Sequence, residues 1–169
     1  MTAEEFEKFE LKKRYGYLLV YLDVEGVAPS IEYAKVSGSK STSKNYPRAR
    51  ALDLKNKEKG FLLLPLSKGS YQIVRVNVPF FNLPYVVDIS TDPEWHFTIE
   101  SGKINYIGRL VIEKERTDKN VNIKLLNRIA FDYEEINKTY ANVISHYPLV
   151  VSKGYRDDFL TDFSGKGQE

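Results

Sequence analysis

Four carboxylates crowd one short stretch of this chain. Asp88, Asp92, Glu94 and Glu100 all fall within residues 88–100, beside Tyr85 and Trp95. Paired acids hydrolyse glycosidic bonds, one as general acid and the other as nucleophile or base. Acids next to an aromatic ring also describe a sugar-binding surface. The plainer reading makes Asp92-Pro93 a turn and Glu100 a charge at a strand end. Histidine, the usual acid–base group and metal ligand near neutral pH, occurs twice, as His96 and His146. The two lie far apart in sequence and lack a ligand-spaced partner. His146 falls at a helix end, where a cation complements the carbonyl dipole. We therefore expect neither a metal nor a cofactor.

Other chemistry is excluded by type. The chain has no cysteine, which removes disulfides, thiolate metal sites and cysteine nucleophiles. No G-x-S-x-G elbow, Walker loop or G-x-G-x-x-G fingerprint occurs. Ser152-Lys153-Gly154 and Ser164-Gly165-Lys166-Gly167 read as loops. Catalysis is not expected.

Two further segments could bind a partner. Between 35 and 59, Lys35, Lys40, Lys44, Arg48, Arg50, Lys55, Lys57 and Lys59 face only Asp53 and Glu58, with Tyr46 among them. Such a segment could hold an anionic polymer, or it is a solvated loop and edge strand guarded by lysines. The run Pro79-Phe80-Phe81-Asn82-Leu83-Pro84-Tyr85 is apolar between two prolines. Exposed, it is a partner-binding patch; folded inward, it plugs one end of the core. The candidate ligand-binding residues are thus Phe80, Phe81, Tyr85, Trp95, Tyr46, Arg48 and Arg50.

The elements that would hold these residues are mostly strands. The 169 residues suit one domain, and 42% hydrophobic with 13% aromatic content can fill a core. A net charge of +2 gives no global pull toward nucleic acid. No apolar run approaches the roughly 20 residues of a membrane-spanning helix. Residues 1–14 form a charged lead-in or short helix. Residues 15–24 (YGYLLVYLDV) make a strand, apolar on both faces and hence central. Residues 31–36, 48–54 and 85–89 add strands, separated by the polar loop 37–45 and the turns at 26–30 and 56–60. Residues 61–66 and 71–78 flank Ser67-Lys68-Gly69-Ser70 and read as a hairpin, as do 95–100 and 104–113 around Ser101-Gly102-Lys103. Residues 121–126 are one more strand.

The period then changes. Asp132 as N-cap, Glu135 three positions on, and a Phe131–Ile136 staple open a helix. Ile136, Tyr140, Val143, Ile144 and Tyr147 share its apolar face, and Pro148 ends it. The expected fold is mainly β: an antiparallel β-sandwich of seven to nine strands over 15–127, an amphipathic helix at 128–148 packed on it, and a polar tail at 149–169.

The run Gly60-Phe61…Leu66…Gly69-Ser70-Tyr71 resembles the G-x-F…G-x-Y hairpin of prealbumin-like, carboxypeptidase-regulatory-like sandwich domains. The run 97–108 is similar to a hairpin of uncharacterised bacterial envelope proteins and lipoproteins with that sandwich. The resemblance spans about residues 15–126. It implies that Phe61 and Tyr71 pack between the sheets, and it carries no catalytic residues. The function it implies is a non-enzymatic binding or structural module of the cell envelope, periplasmic or anchored to the outer membrane, with an envelope protein, glycan or anionic lipid as partner. A cytoplasmic location is the alternative. The start Thr2-Ala3-Glu4-Glu5 carries no export signal. The chain is accordingly expected to be a mature fragment whose gene encodes a signal peptide and lipobox cysteine upstream, with 2–14 as a tether. The competing functions are a carbohydrate- or peptide-active hydrolase using the acids at 88–100, and an adaptor for an anionic polymer through 35–59.

Overall fold

A computed structural model describes residues 11–24, 29–36, 49–54, 58–80, 83–114, 121–152 and 155–156. Its strands are β1 (Tyr15–Asp23), β2 (Ser30–Val36), β3 (Arg50–Asp53), β4 (Lys59–Ser67), β5 (Gly69–Phe80), β6 (Leu83–Asp88), β7 (His96–Ile99), β8 (Ile104–Lys114), β9 (Val121–Asn127), β10 (Leu149–Val151) and β11 (Tyr155–Arg156). A 3-10 turn, Pro93–Trp95, precedes β7, and helix α1 spans Ile129–Ile144. The protein is mainly β, a two-sheet sandwich with a C-terminal helix. One sheet runs β11-β9-β8-β1-β4, with β10 also on β8; the other runs β3-β2-β5-β6, with β7 also on β5.

β1 explains the layering. Leu18, Val20 and Leu22 point into a core between the sheets with Ile73, Val76, Phe97 and Leu110. Tyr17, Leu19 and Tyr21 point the opposite way, into a second core closed by Ile136, Tyr140 and Val143 of α1. Strand side chains alternate faces, so a strand apolar at both parities must be covered twice. The expected central position of 15–24 is met, and Ile136, Tyr140 and Val143 form the docked stripe. Ile144 and Tyr147 are only partly buried.

Several expectations need correction. The second sheet is antiparallel throughout, but in the first β1, β10 and β11 each make a parallel pair. Residues 149–151, assigned to the tail, are strand β10. Neither expected hairpin forms. β4 pairs with β1 while β5 lies in the other sheet, and β7 and β8 are divided in the same way. Both Ser-Gly turns are arches that carry the chain from sheet to sheet. A turn signal between apolar runs fixes a reversal and not whether the two strands share a sheet. Phe61 therefore packs on the helix side, edge-on to Tyr21 with ring centroids 4.9 Å apart, while Tyr71 lies between the sheets. Consecutive strands do pair antiparallel at β2–β3, β5–β6 and β8–β9, and Pro79 faces Pro84 across the β5–β6 pair.

The arches close against the start of β1. Gly102 N donates to Tyr15 O, and Lys68 N donates to Arg14 O. Buried Asn105 accepts from Glu100 N and donates to Tyr17 O. A Cβ on Gly16 would lie 2.1 Å from Glu100 O, so no other residue fits there. Ser152 joins the sheets: its N–H donates to Tyr106 O, and its Oγ accepts from Thr98 N and donates to Thr98 O.

Burial of phenols gives the fold a base-labile element. Burial, and then Tyr147, pushes the Tyr17 hydroxyl up to about 12. Tyr106 is raised as well, by burial and then by Asp132. A raised folded-state pKa contributes stability in full below the unfolded value of about 10, and that stability is lost as pH rises toward the folded value. Urea midpoints should fall from about pH 10 toward about pH 12, and Tyr17→Phe should flatten that fall. A slope identical in the variant would contradict the assignment.

Candidate functional site

The turn between β6 and β7 is built by its own side chains. Asp88 Oδ1 accepts from Ser90 N at 3.0 Å, and Asp92 Oδ1 accepts from Glu94 N at 2.9 Å. Pro93 opens the 3-10 turn, and Trp95 drops into the core at 5% exposure. Gln72, fully buried on β5, donates Nε2 to Ile89 O at 3.0 Å and Asp92 O at 2.9 Å. It pins the turn to the second sheet.

Strand β9 faces this turn across a cleft of about 310 Å³, lined by Asp92, Glu94, Trp95, Ile123, Lys124, Leu125 and Leu126. The floor is apolar. The rim carries Asp92 and Glu94 on one side and Lys124 on the other, the lysine 3.8 Å from Glu113. β11 covers only Leu126 and Asn127, so among the described residues no strand lies against the outer edge of β9 at 121–125. The cleft thus combines a hydrophobic seat, mixed charge and a strand edge.

The expected site residues do not converge. Trp95 lines the cleft but shows little ring to solvent, which corrects the exposed sugar-stacking surface. Tyr85 sits on β6 and is 39% exposed. Phe80 pairs with Leu83 through the backbone, and its side chain lies outside the described residues, as do Phe81, Tyr46 and Arg48. Arg50 is exposed on β3, paired with Tyr33 of β2. Of the basic run, Lys35 Nζ donates to Lys68 O at 2.6 Å, and Lys59 lies 3.7 Å from Asp23.

Neither any protein-family model nor any curated protein matches this chain. The site must be read from its chemistry.

Asp88, Asp92 and Glu100 are engaged as structure. Asp88 is held below its usual range by the hydrogen bonds from Ser90. Glu100 binds Lys103 at 2.5 Å, beyond the far end of β7 from Asp92. The four residues of β7 separate them by about 13 Å. Among the described residues no three His, Asp or Glu side chains converge as metal ligands. His146 Nδ1 bonds Asn142 O at 2.8 Å, a helix-end role.

One polar cluster was invisible in the sequence reading. Asp132, fully buried, is not the helix cap: α1 begins at Ile129, and Phe131 is 59% exposed under the Arg128 guanidinium rather than stapled to Ile136. The Asp132 carboxylate instead accepts from Arg109 Nε at 2.8 Å, from Arg109 Nη2 and from the Tyr106 hydroxyl. Arg109 in turn lies 4.1 Å over the Tyr21 ring. Tyr106 and Arg109 are three positions apart and would face opposite ways on a regular strand. A bulge brings them together: Leu19 pairs with Tyr106 and Val20 with Gly108, skipping Ile107. Gly108 holds φ of 121°, and a Cβ there would lie 2.5 Å from Leu126 O. The signal available was Arg109 standing alone among apolar residues.

Proposed function

We propose that this protein is a non-enzymatic binding module whose cleft between the 92–95 turn and β9 seats an apolar side chain of an extended, basic partner peptide. The observation that carries this reading is the cleft: Trp95, Ile123 and Leu125 beneath a rim of Asp92 and Glu94, beside a strand edge that no other strand covers among the described residues. About 300 Å³ is the lower end for small-molecule sites and suits one or two side chains. Strand addition supplies affinity through the backbone, and a pocket selects alternate side chains. Binding is favoured over hydrolysis because Asp88 and Asp92 are turn acceptors and Asp88 is lowered, whereas a general acid needs a raised pKa.

Trp95 is the only tryptophan and forms a wall of the cleft. A dansylated hexapeptide alternating leucine and lysine should quench its emission by energy transfer, saturably. Glu94→Lys should weaken that binding by about tenfold, the order expected for reversing one rim charge. No transfer up to millimolar peptide, or transfer indifferent to residue 94, would refute the reading. On the resemblance to prealbumin-like envelope domains we place the module in the bacterial envelope; its recovery with the cytosol on cell fractionation would contradict that placement.

A further inference from the structure

We infer that the protein forms a symmetric homodimer through β6, independently of the cleft. β6 ends the second sheet, and among the described residues no strand lies against its outer side. Its pairing parity is fixed: Ile89 N donates to Val74 O, and the register runs Val87↔Val76, Val86↔Asn77, Tyr85↔Val78, Pro84↔Pro79. Hydrogen-bonded and non-bonded pairs alternate along an antiparallel ladder. Residues 85 and 87 therefore spend their backbone groups on β5, while 84, 86 and 88 turn theirs outward. Pro84 lacks the N–H it would otherwise point into solvent.

This edge is complementary to itself. An antiparallel pair centred on Val86 sets Val86 opposite the partner's Val86, each donating to the other. Asp88 N–H then meets the partner's Pro84 carbonyl, the one group that proline still offers. Every outward N–H of 84–88 is satisfied, and the missing proline donor leaves only the Asp88 carbonyl at each end of the ribbon to water. Side chains agree. Val86, 52% exposed, would adjoin its copy, and Tyr85, 39% exposed, would lie opposite the partner's Val87, a favourable aromatic–β-branched pairing. The two Asp88 carboxylates fall at opposite ends of the ribbon, about 14 Å apart along it, so like charges do not meet. An apolar edge without lysine or bulge otherwise invites uncontrolled association; a closed two-fold pair ends it. A six-residue strand pair is small against a stable interface of about 1,200 Å² or more, so the dimer forms reversibly.

The absence of cysteine makes the test clean. In the proposed register the two Val86 Cα atoms are about 5.5 Å apart, within disulfide reach. Under mild oxidation Val86→Cys should yield a covalent dimer about tenfold faster than Val151→Cys, an equally exposed valine elsewhere (49%). Light scattering of the wild type should show mass rising toward a dimer with concentration, and Val86→Arg should remain monomeric. A wild type monomeric throughout, or Val86→Cys no faster than Val151→Cys, would overturn the proposal.

Discussion

Asp132→Ala should lower unfolding free energy by about 3–5 kcal/mol, the cost of stranding one partner of a buried ion pair. The carboxylate has no exposure, and its Arg109 partner is one-fifth exposed, so the loss should lie toward the lower figure. Among the described residues the remaining guanidinium keeps the Tyr21 ring, and the Tyr106 hydroxyl loses its acceptor. A second substitution tests the cause. Adding Arg109→Leu to Asp132→Leu removes both charges, and the double variant should be more stable than Asp132→Leu alone. Urea denaturation of the three variants reads this directly. Equal losses for single and double variants would mean that the cluster acts by shape and not by charge.

Ile136→Ala should cost about 2–5 kcal/mol, the range for truncating a fully buried aliphatic side chain. Ile136 has no exposure and fills the space above Tyr17, Leu19 and Leu63 in the outer core. Ile144→Ala should cost less, because Ile144 is only half-buried. Guanidinium midpoints should rank Ile136→Ala below Ile144→Ala. The reverse order would remove α1 from its assigned face.

The sequence carried the layers better than the connections. β1 was legible because Tyr17 to Leu22, apolar at both parities, admit only a strand covered on both sides. α1 was legible because Ile136, Tyr140 and Val143 recur at helical spacing. Its start was not, because an Asp-x-x-Glu box is local chemistry, and Asp132 found a stronger partner from a strand more than twenty residues earlier. The arches were misread for a related reason. Ser-Gly turns report a reversal, whereas sheet membership is decided by long-range partners such as β1 for β4 and β5 for β7.

The candidate site was legible in part. Asp92, Glu94 and Trp95 stood out as acids beside an aromatic, and all three line the cleft. Its other wall did not, since Ile123, Lys124 and Leu125 read only as one more strand. Nor did Gln72, which pins the turn to β5 from within the core.

Amide chemical-shift mapping tests the proposed function most directly. On addition of the leucine–lysine peptide to uniformly labelled protein, the largest shifts should fall on residues 92–95 and 123–126, with the Trp95 indole N–H among them. Shifts confined to β6, α1 or the basic residues near Arg50, with 92–95 unmoved, would contradict it.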